Sequence, residues 1–366
     1  MARVATIIGT RPEIIKMAPV VKAIDNLDHE HILIHSGQHY DAMMDGIFFK
    51  ELGLRDPDFR FILKDLPPHR QIASTIDHVG DIVRDVDLVI VQGDTNTTVA
   101  GAILANKLGK PVGHVEAGIR SFDKTMPEEV NRILTDQMST LLFSPTATAK
   151  RNLERENIRR GLHVVGNSVV DALIQNIKTA EARSHALEHL APHPHSYFLV
   201  TFHRAENVDD PAKLKAVLLA LSNIAQKQGK AVLFPIHPRT RRRIKEFGLD
   251  HLLDAKGLEV IDPVGYFDML VLEKNASLIL TDSGGLQEEA CILHIPCITM
   301  RENTERPETL DIGCNILAGT DARRIEAATR RQLKIPTKWR NPYGNGTTGE
   351  KIATLVGRFL ARRGSA

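Results

Sequence analysis

The chain has 366 residues, 42% of them hydrophobic and 25% charged, with 18 prolines and 25 glycines, a composition that excludes disordered, collagen-like and coiled-coil proteins. Lys and Arg number 47 against 45 Asp and Glu, a formal net charge of +2, so bulk charge builds no polyanion-binding scaffold. Three cysteines, Cys291, Cys297 and Cys314, form an odd set without paired metal-ligand spacing, which fits buried thiols in a reducing cytoplasm.

In chain order, short β-branched runs bounded by turn residues predict strands at 4–8 (VATII), 31–35 (HILIH), 87–92, 111–115, 140–144 and 163–165. Helical patterns lie between them, and that alternation means βαβ units and a parallel sheet. The rhythm restarts at 197–202 (YFLVTF) and continues through 230–236, 258–262, 277–282 and 295–300. The expected class is α/β, with Rossmann-like doubly wound domains over 1–168 and 169–347. Residues 184–196 (SHALEHLAPHPHS), rich in His and Pro, read as the linker region. A helix over 348–366, after the turn-rich NPYGNG at 341–346, has apolar spacing suited to packing back on the first half. No apolar run approaches the ~18 residues of a membrane span, and MARVATIIGTRP has no signal-peptide apolar region, so a cytoplasmic protein without membrane contact is expected.

Open α/β sheets bind ligands beyond the carboxyl ends of their strands, so the residues that follow each strand are where chemistry is expected. After the first strand come Gly9, Thr10, Arg11, Pro12 and Glu13, then Lys16 one turn into a helix. Free N–H groups at that helix start, with Arg11 and Lys16, make an anion site; the plainer alternative is a strand-to-helix turn with solvated charges. No Walker or dinucleotide glycine pattern is present, which weakens NTPase and NAD readings. In the second half, a strand ending at Asp282 is followed by Ser283, Gly284 and Gly285, a phosphate cradle at a helix start, with Glu289 placed to reach a ribose diol. Against it stands Ser283 as a helix cap, with Glu288 and Glu289 complementing the helix dipole.

Further strand ends carry Asp94 in QGDTNTT, Glu116 in HVEAG, Glu128 and Glu129 in MPEEVNR, and His203 in TFHRAEN. Several acids in one cleft can move a proton and stabilise positive charge on a sugar carbon. Each also has a structural reading, as a helix cap, a first-turn acid or a satisfied strand-end histidine. His114, inside a strand, belongs to packing or to bonding behind the site. The 16 histidines include no HExxH or similar spacing, so no metal is expected.

Taken together, GTRPE, QGDTNTT, HVEAG, PEEVNR, HRAEN, TDSGGLQEE, ERPE and NPYGNG closely resemble the non-hydrolysing UDP-N-acetylglucosamine 2-epimerase family, over nearly the whole chain from residue 4 to about 360. The resemblance implies a GT-B fold with the active site between the two Rossmann-like domains. It implies interconversion of UDP-GlcNAc and UDP-ManNAc by elimination of UDP to a 2-acetamidoglucal and re-addition, in a homodimer using no cofactor or metal. It assigns Asp94, Glu116, Glu128 and His203 to catalysis, and Arg11, Lys16, Arg132, Ser283, Gly284, Gly285 and Glu289 to the UDP-sugar. Gln38, His39 and His237 correspond to the effector-site residues of members activated by a second UDP-GlcNAc. Arg306, Glu308, Asn341 and Gly344 are motif residues without an assigned role.

Between Arg120 and Pro127 the chain has SFDKTM, two residues shorter than the stretch common in bacterial UDP-GlcNAc members, as in the branch acting on UDP-2,3-diacetamido uronic acids. Met269 stands where an aromatic often holds uracil, with Tyr266 and Phe267 nearby. The Arg239 to Arg243 run reads as a solvated helix face or a further phosphate contact. The alternatives are the diacetamido uronic acid epimerase, a hydrolysing epimerase that releases ManNAc, a GT-B glycosyltransferase, and a non-catalytic nucleotide-sugar-binding protein. The full set of acids favours an epimerase over the last two.

Overall fold

Thirteen parallel strands alternate with helices in the computed structural model, which describes residues 1–38, 42–63, 66–190 and 193–364. Two units result, one of residues 1–174 with 343–366 and the other of residues 175–342.

The first unit runs β1 (Arg3–Ile8), α1 (Arg11–Asp25), β2 (Glu30–His35), α2 (Ala42–Glu51), β3 (Phe59–Arg60), α3 (Pro68–Arg84), β4 (Leu88–Gln92), α4 (Asn96–Lys107), β5 (Val112–Val115), α5 (Pro127–Met138), β6 (Leu141–Ser144), α6 (Ala147–Arg155), β7 (Leu162–Val164) and the start of α7 (Ser168–Arg183). Its sheet order is β3-β2-β1-β4-β5-β6-β7. Past Arg3 the central strands β1 and β4 are buried, as helices on both faces of a parallel sheet require, which is why VATII and LVIVQ are mostly apolar.

In the second unit come α8 (Ala186–Leu190), β8 (Tyr197–Thr201), α9 (Ala205–Val208), α10 (Pro211–Gln228), β9 (Ala231–Pro235), α11 (Pro238–Glu246), β10 (Leu258–Ile261), α12 (Tyr266–Asn275), β11 (Leu278–Thr281), α13 (Gly284–Ile292), β12 (Cys297–Thr299), α14 (Pro307–Asp311), β13 (Asn315–Leu317) and α15 (Ala322–Gln332). The order β10-β9-β8-β11-β12-β13 repeats the first sheet's winding. In both sheets the strand order reverses at one point, β1/β4 and β8/β11, the place where open α/β sheets take their ligands. Local capping agrees with the sequence: Asp210 accepts from the Ala212 and Lys213 amides at 2.8 and 3.1 Å, and Gly229 ends α10 in the left-handed region.

Sequence periodicity does not reveal β3 and β13, which are two and three residues long and too short to show alternation. Of residues 184–196, read from composition as a linker, the described stretches 184–190 and 193–196 pack within the second unit. The Ser184 hydroxyl donates to Asp268 at 2.6 Å, the His195 amide donates to the Asn275 carbonyl at 2.6 Å, and Ala186 is buried. The chain leaves the first unit inside the continuous helix α7 and re-enters it at Tyr343. There α16 (Thr348–Gly364) lies on α1, and a Cβ on Gly349 would stand 2.5 Å from the Pro19 carbonyl oxygen. The Tyr343 carbonyl accepts from the Asn167 amide at 2.8 Å and the Gly349 amide donates to Asp171 at 2.9 Å, so NPYGNG and the start of α16 together stitch the returning chain in place. No helix among the described residues is long and apolar enough to cross a membrane.

Candidate active site

At the β1 end, Pro12 opens α1 and Glu13 turns back, so that its carboxylate accepts from the Gly9 and Thr10 amides at 2.9 and 2.7 Å. These are the amides that sequence reasoning left open for an anion. The structure spends them on Glu13, whose other oxygen lies 3.1 Å from the hydroxyls of both Thr95 and Thr98. Burial pushes the Glu13 carboxyl up to about 7, against the hydrogen bonds from Thr10, Gly9 and Thr95. Positive charge on this turn therefore comes from side chains. Arg11 stacks over Phe48 at 5.9 Å, and Lys16 is buried with its ammonium 2.6 Å from Glu116.

Glu116 stands just past β5 in the left-handed region, φ 69°, unusual for a side chain of this kind. One of its oxygens takes Lys16 and the other the Gln92 amide, the acceptor pattern of an ionised carboxylate. Asp94, one strand away, receives Nε and Nη2 of Arg132 at 2.9 and 2.6 Å on a single oxygen. Arg132 Nη1 reaches buried Glu129 at 2.6 Å, and Glu129 also accepts the Ser121 and Phe122 amides at 2.9 and 2.8 Å. The two acids of PEEVNR thus divide: Glu129 holds the short SFDKTM loop and Arg132, while Glu128 stays partly exposed. Asn131 donates to the Asp94 carbonyl at 2.9 Å. Arg11, Lys16, Asp94, Glu116, Glu128 and Arg132 accordingly share the carboxyl end of the first sheet around its β1/β4 reversal. Gln38 lies in the same unit, buried, with its side-chain oxygen accepting from the Thr97 hydroxyl at 2.9 Å. His39 falls outside the described residues.

In the second unit the β8 and β11 ends meet through Asp282. Its fully buried carboxylate accepts the His203 amide at 3.0 and 3.1 Å and the Arg204 amide at 2.7 Å, and lies 3.3 Å from His203 Nδ1. A carboxylate on Nδ1 orients the ring and turns Nε2 outward. Asp282 is a residue that sequence reasoning passed over; its signal was its place at the end of SLILTD. The His237 ring lies 5.6 Å from that of His203, and its Nδ1 accepts the Arg239 amide at 3.1 Å, capping α11.

The Ser283 side chain makes no capping hydrogen bond to α13, so the plain capping reading of that serine is not what the chain does. A Cβ on Gly284 would stand 2.5 Å from Oε1 of Glu305, whereas at Gly285 the nearest such atom is Ser283 Oγ at 3.8 Å. The first glycine is therefore demanded by a buried acid of TERPE, and the second leaves room at the helix start. Glu305 is compensated by Arg301 at 2.9 Å and Arg204 at 3.6 Å, guanidinium groups that suit a phosphate-bearing site. Arg306 pairs with buried Glu288 on α13, which ties ERPE to the glycine loop. Glu289 is half-buried, and its charge raises the Tyr266 and Glu273 acids, already pushed up by burial. Tyr266 and Phe267 are buried against each other at 6.0 Å.

The arginine run is paired in its own unit. Arg239 and Arg243 grip Asp209, Arg241 reaches Asp262 at 3.2 Å, and Arg242 reaches Glu246 at 3.6 Å, a solvated helix face. Among the described residues no group of three or more His, Cys, Asp or Glu side chains is arranged to hold a metal ion.

Residues 22–357 match the family model described as UDP-N-acetylglucosamine 2-epimerase. A UDP-N-acetylglucosamine 2-epimerase of Methanococcus maripaludis is 48% identical over 97% of this chain and 98% of its own. A UDP-2,3-diacetamido-2,3-dideoxy-D-glucuronate 2-epimerase of Pseudomonas aeruginosa is 39% identical over 98% of this chain and all of its own. Among solved structures, the Methanocaldococcus jannaschii UDP-GlcNAc 2-epimerase in complex with UDP-GlcNAc and UDP superposes with a TM-score of 0.92 at 46% identity, covering 97% of this chain and 99% of that one. Two doubly wound parallel sheets, acids at one strand reversal and a glycine loop at the other are the parts of a GT-B nucleotide-sugar protein, and with these matches the chain belongs to the UDP-N-acetylglucosamine 2-epimerase family.

Proposed function

We propose that the chain is an isomerase that interconverts UDP-GlcNAc and UDP-ManNAc without net hydrolysis. The carrying observation is that a protein 46% identical to it was solved with UDP-GlcNAc and UDP. The C2–H bond of the sugar is unactivated, so direct abstraction to a free carbanion is prohibitive. Elimination avoids this: a carboxylate takes the C2 proton as the C1–O bond breaks, giving a 2-acetamidoglucal and UDP. Re-addition of UDP then forms the C1–O bond again while a proton arrives at the opposite face of C2.

Asp94, Glu116 and Glu128 are the acids for these proton transfers and for positive charge at C1. Arg11, Lys16 and His203 answer the charge of departing UDP, with Lys16 also compensating Glu116. Arg132 aims Asp94, and Ser283, Gly284, Gly285 and Glu289 hold the nucleotide. Gln38, His39 and His237 are the residues for a second UDP-GlcNAc acting as effector. The enzyme is further inferred to work as a cytoplasmic homodimer, an inference that light scattering on the purified protein tests, and to feed polysaccharide biosynthesis.

Proton NMR of the protein with UDP-GlcNAc in D2O tests the reading. UDP-ManNAc carrying deuterium at C2 is the expected product. Free ManNAc with UDP would make it a hydrolysing epimerase. An unchanged spectrum with turnover of a UDP-diacetamido uronic acid would reassign the sugar, a reading favoured by the short SFDKTM loop.

A further inference from the structure

His114 of HVEAG is fully buried in β5, yet both its ring nitrogens are engaged. Nδ1 lies 2.6 Å from Asp136 Oδ1 on α5, and Nε2 lies 2.8 Å from the carbonyl oxygen of Gly93. Carbonyl and carboxylate both accept, so each of these contacts calls for an N–H from the ring. Asp136, buried as well, uses its second oxygen for the Gly118 amide at 3.1 Å and for Arg120 at 2.7 Å, and Arg120 in turn reaches Glu156 at 2.7 Å. Burial raises the Asp136 carboxyl, but His114 and Arg120 outweigh it and hold the group below its ordinary value.

The two backbone atoms at the ends of this pair are not arbitrary. Gly93 immediately precedes Asp94, and Gly118 follows Glu116 by two residues. Both glycines and Glu116 itself sit at positive φ, 73°, 83° and 69°. Glycine holds such a conformation freely, but at Glu116, just past β5, it persists only where the surrounding structure fixes it. A Cβ on Gly118 would stand 2.2 Å from the Ala149 carbonyl oxygen, so that loop has no slack to give.

We propose that His114 and Asp136 are positioning residues of the epimerisation, a buried hydrogen-bonded clamp that sets the spacing of Asp94 and Glu116. The clamp rests on the function proposed above. Asp136 shares α5 with Arg132, which grips Asp94, and with Glu129, which holds the SFDKTM loop. One helix thereby carries polar bonds to the loops after both acid-bearing strands. Lys16, which pairs with Glu116, comes from α1 and is independent of the clamp.

The test is steady-state kinetics with UDP-GlcNAc of the native chain, His114→Gln and Asp136→Asn, with UDP binding measured by calorimetry. A shift of the acids by an ångström costs on the order of 100-fold in turnover, so kcat is expected to fall about 10- to 100-fold. KM and the UDP dissociation constant should stay within about twofold, because neither His114 nor Asp136 is among the residues assigned to UDP; an equal loss in binding and turnover, or unchanged kcat, would overturn the clamp. His114→Gln is expected to retain more turnover than His114→Ala, since it can still donate one hydrogen bond. If the variants do not fold, nitrogen NMR of histidine-labelled native protein decides: a buried ring bearing two protected N–H groups supports the clamp, and its absence overturns it. A native chain that binds UDP but turns over no UDP-sugar would instead remove the proposed function, and the clamp's role with it.

Discussion

Glu116 shows how one residue's backbone and side chain serve a single end. Its left-handed conformation costs of order 1–3 kcal/mol. What offsets that cost is the set of bonds around it: Lys16 and Gln92 on its two oxygens, the next amide on the Phe143 carbonyl at 3.2 Å, and the Gly118 amide on Asp136. Glu116→Gln keeps the length of the side chain and removes its charge. Turnover is expected to fall at least about 100-fold while UDP affinity measured by calorimetry is retained. Full activity in that variant would take Glu116 out of the chemistry. HVEAG announces an acid after a strand, but not its dihedral angle, since φ there is set by partners from α1, β4 and α5.

At the scale of elements, α1 and α13 answer the same problem differently. Each begins at a strand reversal with amides pointing outward, and each has a carboxylate near its start, Glu13 within α1 and Glu305 against Gly284 of α13. Glu13 titrates near 4.5 when unfolded and at about 7 when folded. Between those values the folded chain keeps a proton that the unfolded chain has released, so this group lowers stability as pH rises from about 4.5 to about 7. The stability of Glu13→Gln relative to the native chain is therefore expected to rise between pH 5 and pH 8 in urea unfolding. An equal difference at both pH values would show that Glu13 does not titrate there.

In α13 the buried pair between Arg306 and Glu288 gives ERPE the role that motif reading could not. Removing the guanidinium strands a buried carboxylate. Arg306→Ala is expected to cost about 3–5 kcal/mol, read by denaturant unfolding. NPYGNG likewise resolves into a re-entry turn, with Tyr343 bonded to Asn167 and Gly344 at φ 110° against Gly166. Neither role shows in spacing, because each depends on residues well over a dozen positions away.

For the whole molecule, the discontinuity of the first unit carries a prediction. Ile352, Val356 and Leu360 of α16 are buried, and at roughly 1.5–3 kcal/mol each their loss approaches the stability of an ordinary domain. Truncation after Pro342 is expected to abolish the cooperative unfolding transition of the first unit in calorimetry and to leave that of the second, which is one continuous segment. Unchanged transitions would show that α16 is dispensable.

The sequence by itself determined the α/β class, eleven of the thirteen strands and the strand-end positions of the candidate acids, because period and turn chemistry are local and buried parallel strands must be apolar. Its motifs also pointed to the UDP-N-acetylglucosamine 2-epimerase family. Only the tertiary structure decided that the Gly9 and Thr10 amides belong to Glu13, that Glu129 holds the Ser121 and Phe122 amides, that Asp282 orients His203, and that Ser184, Ala186 and His195 are packed rather than linking. Each of those outcomes is a competition for hydrogen bonds among groups distant in sequence or lying on one short turn, and burial, which no spacing records, selects the winner.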